Sequence, residues 1–344
     1  MTDAPLRLRL DTAALVANWR ALDALSGAAA CGAAIKADGY GLGAVGVATR
    51  LAAAGCRDFF VANWLEAERL AGRGFDVAVL HGVRAEDMAA AASGIARPVL
   101  NTAAQVARWR EGGGGRCDVM VDTGMNRLGV SVTEVRDGLL DGLAIDTLMS
   151  HLACADEDSA MNARQATALR ALAGRTAARR MSLANSAGIA LGADYAFDLT
   201  RPGLALYGGV PRGELAGVVG QVVTPEAQIL QRRTLAAGES IGYNALFTAS
   251  APLEVAILNI GYADGYWRGF SNAGCARVGE AALPVIGRVS MDLTAISVAA
   301  APGLREGDWV ALDYALPVAA AESGMSQYEL LTGLGARFER RWVS

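Results

Sequence analysis

A lysine followed by a glycine-rich turn is the feature of this sequence that most directly suggests chemistry. An apolar run ends at Lys36, and the seven residues that follow it, up to Gly43, include three glycines. A lysine whose stem lies in an apolar environment loses hydration of its ammonium group, so its pKa falls and the neutral amine becomes a nucleophile or forms a Schiff base. The alternative is a lysine that extends from a strand end into water. The glycines favour a site, because they let a ligand approach the backbone closely.

Four other residues that can bind or catalyse lie at or near the ends of apolar runs elsewhere in the chain. Arg127 lies between glycines, where its planar guanidinium can bind a carboxylate or a phenolic oxygen. His151 ends one run, Ser186 lies at a strand-to-helix junction suited to a phosphate, and Arg201 precedes a rigid Pro-Gly turn. Taken singly, these residues are explained equally well or better as a solvated turn, a hydrogen-bonded core histidine, a helix cap and a salt bridge.

The elements that would position these residues alternate along the first part of the chain. Short apolar runs, each followed by a turn and an alanine-rich amphipathic segment, are typical of alternating strands and helices. The runs are continuously apolar, as parallel strands buried on both faces require. They span residues 31–36, 59–63, 77–82, 97–101, 117–122, 145–152, 180–186 and 203–208. The pattern predicts an α/β fold with a (β/α)8 TIM barrel over residues 1–214, whose functional residues follow the carboxyl ends of the strands.

After about residue 215 the helical periodicity largely disappears, and runs of Val, Ile and Leu are interrupted by Gly and Pro. This texture predicts a C-terminal β-rich domain over residues 215–344. Its most distinctive pieces are tyrosines in glycine turns, which are often present only for packing.

The composition argues against several other classes of protein. The formal net charge is −4 and no stretch clusters Lys and Arg, so nucleic acid is not an expected partner. No apolar run is long enough to cross a bilayer and the N-terminus has no signal-peptide pattern, so we expect no membrane association and a cytoplasmic location. Five cysteines without CxxC spacing and only two histidines argue against a disulfide framework and a metal site.

Seven short motifs, in order and spacing, resemble those of the alanine racemase family and cover almost the whole chain. Members of this family are homodimers in which each subunit is a (β/α)8 barrel with a C-terminal β domain, and they use pyridoxal 5'-phosphate (PLP). The resemblance therefore implies that fold, that cofactor and racemisation of alanine. The motifs lie at residues 36–41, 122–129, 150–151, 185–186, 201–203, 261–265 and 287–292.

The resemblance implies two bases on opposite faces of the substrate. Lys36 matches the lysine that holds PLP as a Schiff base and, once the substrate displaces it, exchanges the α-proton on the D side. Tyr243 of the partner subunit matches the base for the L side, and His151 matches the residue that helps the tyrosine lose its proton. A single base would have to move round the planar intermediate to reprotonate its other face. The resemblance thus implies an obligatory homodimer with shared active sites.

The resemblance also assigns residues that bind the cofactor and the substrate. Arg201 matches the arginine that faces the pyridine nitrogen; because a guanidinium stays protonated, it donates a hydrogen bond without giving up its proton. Arg127 matches the arginine that binds the phenolic oxygen and the substrate carboxylate. The matches to the phosphate cradle are Tyr40, Ser186, Gly203 and Leu204. The matches to partner-subunit residues at the substrate entrance are Tyr262, Met291 and Asp292.

Two positions depart from the best-known family pattern. Many members carry a carbamylated lysine seven residues before the arginine, where this chain has Met120. Because methionine cannot supply a carbamate, we expect a bound anion or another neighbour to orient Arg127. A tyrosine that many members carry near the phosphate and substrate is matched by Ala336. The extra room argues against alanine as the only substrate.

Three other functions compete with alanine racemisation. One is a racemase for serine or another small amino acid. Another is a barrel that binds PLP without turnover, although such proteins lack the β domain that carries Tyr243. The last is a barrel aldolase that forms its Schiff base directly with Lys36.

Overall fold

A computed structural model describes residues 4–344, and these residues form two units. One unit is Leu15–Gly220, and the other combines residues 4–14 with Gln221–Ser344. The strands are β1 Leu6–Asp11, β2 Ala30–Cys31, β3 Ala33–Ala34, β4 Asp58–Val61, β5 Asp76–Val79, β6 Arg97–Leu100, β7 Arg116–Asp122, β8 Val130–Ser131, β9 Ala144–Met149, β10 Arg180–Ser182, β11 Leu199–Thr200, β12 Val223–Leu235, β13 Ser240–Ile241, β14 Phe247–Thr248, β15 Leu253–Leu258, β16 Cys275–Val278, β17 Ala281–Ile286, β18 Thr294–Ser297, β19 Trp309–Leu312 and β20 Glu339–Val343.

The α-helices are α1 Thr12–Ser26, α2 Lys36–Tyr40, α3 Ala44–Ala54, α4 Trp64–Leu70, α5 Met88–Ala92, α6 Ala103–Glu111, α7 Val132–Arg136, α8 Ala160–Arg170, α9 Ser186–Ala190, α10 Leu316–Ser323 and α11 Gln327–Thr332. Short 3-10 helices lie at Ala193–Tyr195, Leu204–Tyr207, Gly213–Leu215, Tyr243–Ala245, Tyr262–Asp264 and Arg268–Phe270. Among residues 4–344, no helix has both the length and the apolar character needed to cross a membrane.

The first unit is built on a ring of parallel strands. The strand order is β2, β11, β10, β9, β7, β6, β5, β4, β3. Because β2 and β3 are segments of one strand separated by Gly32, this order returns to its starting point, and residues 15–220 contain eight barrel strands. Gly32 has no room for a side chain, since a Cβ there would lie 2.8 Å from the carbonyl oxygen of Asp58. The predicted (β/α)8 barrel is confirmed.

Seven of the eight predicted apolar runs overlap barrel strands, and the eighth does not. The last strand is β11, whereas the predicted run 203–208 contains a 3-10 helix, Leu204–Tyr207, whose four residues are all buried. A short buried apolar run has the same appearance in a strand and in a buried helical turn, so the pattern could not separate the two. The prediction of a strand at 203–208 is therefore wrong.

Charged residues fill the amino ends of the barrel strands. Arg97 and Arg180 are the first residues of β6 and β10, and Asp58 is the first residue of β4. Arg180 forms ion pairs of 2.7 Å with both Asp58 and Asp146, and Arg97 lies 3.3 Å from Asp118. This end lies opposite the carboxyl ends at which barrel enzymes carry their chemistry, so we assign the network to stability.

The second unit is an antiparallel, strand-rich domain, as the sequence predicted. Strands β12, β15, β18, β17, β16 and β19 are paired successively, and β19 is also paired with β12, so these strands form a small closed sheet. The long strand β12 pairs with β19 through Glu226, Ala227 and Gln228 and with β15 from Ile229 onward. Its register with β15 shifts between Ile229 and Gln231. The hairpin of β13 and β14 carries Tyr243 in its connection.

The N-terminal strand belongs to this second sheet, although the sequence suggested that the barrel domain begins at residue 1. Strand β1 pairs antiparallel with β12 and parallel with β20. Leu6, Leu8 and Leu10 are buried on one face, and on the other Arg9 donates to the carboxylate of Glu226 at 3.2 Å. The alternation of leucine and arginine is the period-two pattern of a strand buried on one face.

Candidate active site

Lys36 lies two residues beyond β3, at the start of a turn with left-handed backbone. From Ala37 to Gly41 every residue has φ between 53° and 82°. A left-handed conformation costs roughly 1–2 kcal/mol for each residue with a side chain, and Ala37, Asp38 and Tyr40 all adopt it. Helix α2 is therefore a left-handed turn that surrounding contacts must stabilise.

Two carboxylates stabilise this turn by accepting backbone N–H groups. Glu66, in α4, accepts from the amide of Ala37 at 2.8 Å through one oxygen and from that of Ala62 at 2.7 Å through the other. Asp38, within the turn, accepts from the amide of Ala44 at 2.9 Å. Both ends of the turn are thus attached to neighbouring elements.

Lys36 is the only lysine among the 344 residues of the chain. Burial is the main cause that lowers the pKa of its amine, and the positive charges of Arg127 and Arg201 lower it further, while the carboxylate of Glu66 acts in the opposite direction. A lowered pKa increases the fraction of neutral amine, which is the nucleophilic form. The expectation of an activated lysine at a strand end therefore agrees with its surroundings.

His151 shares this region, since the charges of Arg201, Arg127 and Lys36 all act on it. Burial first, and then these positive charges, lower the pKa of His151 to about 3. Its imidazole is therefore neutral at physiological pH, with one nitrogen that donates and one that accepts. Gln165 of α8 fixes the backbone here by donating to the carbonyl oxygen of His151 at 2.9 Å.

Arg201 follows β11 and is almost fully buried. Its guanidinium donates to the hydroxyl of Ser182 and, at 2.6 Å, to the carbonyl oxygen of Ser150, and it lies over the ring of Phe60. Burial lowers the pKa of Arg201 to about 10, so the group still carries its charge at neutral pH. A cation held in this way can donate a hydrogen bond in a fixed direction.

Tyr40, Ser186, Gly203 and Leu204, the expected phosphate cradle, come together in the structure. The hydroxyl of Ser186 accepts from the amides of Gly203 at 2.9 Å and Ala205 at 3.1 Å. The ring of Tyr40 stacks on that of Tyr207 with centroids 4.7 Å apart, and a Cβ on Gly203 would lie 2.9 Å from Cζ of Tyr40. Leu204 directly follows Gly203 and is buried. Small residues, hydroxyls and backbone amides of this kind suit a phosphate.

Arg127 lies in an exposed turn after β7. The turn is shaped by Asp122, whose carboxylate accepts from the amides of Gly124 at 2.8 Å and Asn126 at 3.1 Å. Within residues 4–344, Arg127 makes no hydrogen bond or ion pair. The side chain is thus available for an anion. Seven residues earlier, Met120 is buried in β7 and paired in register with Met149.

The structure also identifies residues that the sequence analysis missed. Ser182 holds the guanidinium of Arg201, Gln165 holds the backbone of His151, and Glu66 holds the turn after Lys36. Glu66 lies three residues after Asn63, which accepts its amide at 3.1 Å, and this spacing is a recognisable helix-start signal. The signal indicates where a helix begins, but it does not show that the carboxylate reaches another loop.

Four of the expected residues lie in the second unit. Tyr243 is two-thirds exposed, and Met291 is more than half exposed. Tyr262 begins a short 3-10 helix and donates its amide to the carbonyl oxygen of Ser290 at 3.0 Å. Asp292 accepts a hydrogen bond of 2.7 Å from Arg337. Tyr243 and Met291 are thus exposed, whereas Tyr262 and Asp292 are partly buried.

Two further positions complete this part of the second unit. Arg337 also makes a two-pronged contact, at 2.6 and 2.8 Å, with the buried carboxylate of Asp264. Ala336, the residue before Arg337, is exposed. The loops around Tyr262 and Asp292 are thus joined through one arginine.

Comparison with known proteins gives matches along both units. The chain matches the family model for the alanine racemase N-terminal domain over residues 10–211 and that for the alanine racemase C-terminal domain over residues 222–342. An alanine racemase of Acidiphilium cryptum is 41% identical over 351 residues, which cover 97% of each chain. A catabolic alanine racemase of Agrobacterium fabrum is 40% identical over 356 residues, covering 98% of this chain and 92% of the relative.

Solved structures give the same result. The crystal structure of alanine racemase from Bartonella henselae, with covalently bound pyridoxal phosphate, has a TM-score of 0.89 and 33% identity, and the match covers 99% of this chain and 100% of the other. The biosynthetic alanine racemase of Pseudomonas aeruginosa has a TM-score of 0.88 and 30% identity at the same coverage. The family models match most of the chain and the relatives are similar over nearly all of it, so this chain belongs to the alanine racemase family.

Proposed function

We propose that this chain is a PLP-dependent racemase that interconverts L-alanine and D-alanine. The relatives that bear that name match it over nearly their whole length, and the Bartonella henselae relative carries covalently bound pyridoxal phosphate. The observation that carries the proposal is the setting of Lys36. The only lysine of the chain lies beyond a barrel strand, has a lowered pKa, and is under the influence of two arginines.

The residues of the barrel unit fit this cofactor. PLP presents a doubly charged phosphate, a phenolic oxygen, a ring nitrogen and an aldehyde. Gly203, which must lack a side chain beside Tyr40, forms a cradle for the phosphate with the hydroxyl of Ser186. Arg127 is an available cation for the phenolic oxygen, and Arg201 is a buried donor for the ring nitrogen. The amine of Lys36 is the group that binds the aldehyde covalently.

In the proposed reaction, two groups of the protein handle the α-proton of the substrate. When bound, PLP supplies a conjugated ring that accepts the electron pair left behind by that proton. Nζ of Lys36, freed when the amino group of the substrate takes its place on the aldehyde carbon, would take or return the proton on the D face, and Oη of Tyr243 of the partner subunit would do so on the L face. Two fixed bases remove the need for one base to reach both faces.

The remaining residues orient the reactants. His151 is neutral, so it can hydrogen-bond with the phenol of Tyr243 of the partner subunit and help it to lose its proton. Arg201 keeps its proton at neutral pH, so it donates to the ring nitrogen without protonating it. The cation of Arg127 binds the substrate carboxylate as well as the phenolic oxygen.

The proposal includes a homodimer acting in the cytoplasm, without nucleic acid or a membrane as partner. The exposed Tyr243 and Met291, together with Tyr262 and Asp292, are the residues of the second unit that would complete the partner's site. Tyr243 and Met291 are large side chains that a partner subunit would cover. Two copies of the chain would then share each active site.

The experiment is to add PLP to the purified chain and to record its visible absorbance, its response to borohydride and the racemisation of both alanine enantiomers. We expect a chromophore that borohydride bleaches and racemisation in both directions. Serine measured in parallel tests the wider substrate range suggested by Ala336. A chromophore without turnover of either amino acid would leave a PLP-binding protein only, and no chromophore at all would refute the proposal.

A further inference from the structure

The carboxylate of Glu66 joins the loops that follow two barrel strands, and the proposed reaction gives this carboxylate no role. It is the third residue of α4, and it is partly buried. One of its oxygens accepts the amide of Ala62, next to its own helix, and the other crosses to the amide of Ala37 at 2.8 Å. Ala37 is the residue directly after Lys36, so the contact joins the ends of two adjacent barrel strands.

The contact matters because the backbone at Ala37 is unfavourable by itself. Ala37 and Asp38 have φ of 53° and ψ near 50°, a conformation that residues with side chains avoid. A hydrogen bond to a carboxylate is stronger than one between neutral groups, and it restrains the amide plane that follows Lys36. Fixing that plane limits the directions in which the lysine stem can leave the backbone.

The contact also brings a negative charge close to the amine. The charged groups that act on Lys36 are Arg127 from the loop after β7, Arg201 after β11, and Glu66 from α4, with neutral His151 after β9 in the same cluster. The two arginines disfavour the ammonium form, whereas the carboxylate favours it. The charge of Glu66 therefore opposes the effect of the two arginines on the protonation of the amine.

We propose that Glu66 is a positioning residue for Lys36, which fixes the lysine through the amide of Ala37 and balances the positive charge around its amine. The inference rests on the proposed covalent role of Lys36. It assigns two separable effects to one carboxylate: a geometric effect that requires its reach, and an electrostatic effect that requires its charge. The two effects can be separated by substitution.

Glu66→Gln removes the charge but keeps one oxygen that can accept an amide. Glu66→Asp keeps the charge but is one methylene shorter, so it loses the reach to Ala37. Glu68→Gln is the matched control, because Glu68 is exposed on the same helix and the change of charge is the same. Folding of each variant is checked by its far-ultraviolet circular dichroism. If one variant does not fold, the other still tests its own effect: Glu66→Gln tests the charge and Glu66→Asp tests the reach.

The first measurement needs no cofactor. Isotopic labelling of lysine gives a single side-chain signal, since Lys36 is the only lysine, and its pH titration by NMR reports the pKa of the amine directly. We expect a lower pKa in Glu66→Gln than in the unaltered chain, and little change in Glu66→Asp and Glu68→Gln. Equal titrations in all four proteins would overturn the electrostatic half of the proposal.

The second measurement is the rate at which added PLP attaches, followed by absorbance as a function of pH. The limiting rate at high pH, where the amine is neutral in every variant, reports geometry. We expect it to fall on the order of ten-fold in Glu66→Asp and to stay unchanged in Glu68→Gln. An unchanged limiting rate in both Glu66 variants would overturn the geometric half. If the unaltered chain attaches no PLP, the proposed function fails, whereas the NMR titration still decides the role of Glu66.

Discussion

Gly203 and Tyr40 approach so closely that the glycine has no room for a methyl group. A Cβ built on Gly203 overlaps the hydroxyl of Tyr40 and lies 2.9 Å from its Cζ. Tyr40 cannot easily move away, because its ring is stacked on Tyr207, whose own hydroxyl donates to the carbonyl oxygen of Ala34 at 2.9 Å. The proposed phosphate cradle is therefore fixed from two sides.

Replacing Gly203 with alanine is expected to weaken PLP binding. The new methyl group displaces the hydroxyl of Tyr40, so we expect a loss of at least about ten-fold in affinity, or about 1.4 kcal/mol. The measurement is a PLP titration of the apoprotein followed by absorbance. Gly213→Ala is the matched control, since a Cβ there meets no atom within 4 Å. Equal affinity in the two variants would show that the cradle lies elsewhere.

Lys36→Ala is expected to abolish both PLP attachment and racemisation in either direction. With no other lysine in the chain, the α-amino group of the N-terminus is the remaining primary amine. In the unaltered protein, mass spectrometry after borohydride reduction and digestion should find PLP on the peptide that contains Lys36. The N-terminal peptide is the internal control for non-specific reaction, and a label found mainly there would contradict the assignment.

Tyr243→Phe is expected to separate the two half-reactions, because Lys36 can still exchange the proton on its own face. Deuterium incorporation from solvent should persist far better with D-alanine than with L-alanine. Mixing the inactive Lys36→Ala and Tyr243→Phe chains should restore part of the activity, since a mixed dimer contains one site with both bases. Equal loss with both enantiomers and no complementation would argue against a shared site.

His151 is expected to make the stability of the apoprotein depend on pH. The folded protein keeps His151 neutral down to about pH 3, whereas an unfolded chain protonates it near 6.5. Its contribution is therefore present above pH 6.5 and is lost as the pH falls below that value, by about 1 kcal/mol between pH 7.5 and 5.5. Urea unfolding at these two pH values should show this loss.

The comparison for this prediction uses both histidines of the chain. His151→Gln should remove the loss of stability between the two pH values. His81→Gln, at an exposed position, should retain it. If the pH dependence is the same in His151→Gln as in the unaltered chain, the imidazole is not kept neutral by its surroundings.

Arg127 is expected to depend on a bound anion rather than on a carbamate. Met120 cannot be carbamylated, and among residues 4–344 no side chain is paired with the exposed guanidinium of Arg127. Activity should be indifferent to bicarbonate but should respond to chloride or small carboxylates. Met120→Lys should introduce a response to bicarbonate, and Met120→Leu is the control that lacks an amine. Kinetics that are indifferent to anions and to both substitutions would mean that another group orients Arg127.

The sequence predicted most of the barrel because its strands are buried on both faces, as the continuous burial of β4 and β6 illustrates. It also predicted that Lys36 and His151 follow strand ends, as they do, whereas β11, the strand before Arg201, was not predicted. The left-handed turn could not be predicted, because Ala37 and Tyr40 are not residues that favour that conformation. What stabilises it is the carboxylate of Glu66, a contact 29 residues away that no local pattern records.

The same left-handed turn controls how fast a protease can cut the chain at Lys36. A protease that cleaves on the carboxyl side of lysine has a single candidate peptide bond, that between Lys36 and Ala37, and such enzymes bind their substrates in an extended conformation. Ala37, with φ of 53°, is far from that conformation, so the turn must unwind before cleavage. The rate of this one cut therefore measures local opening at Lys36 without any chromophore, and cleavage should slow when a ligand holds the turn closed.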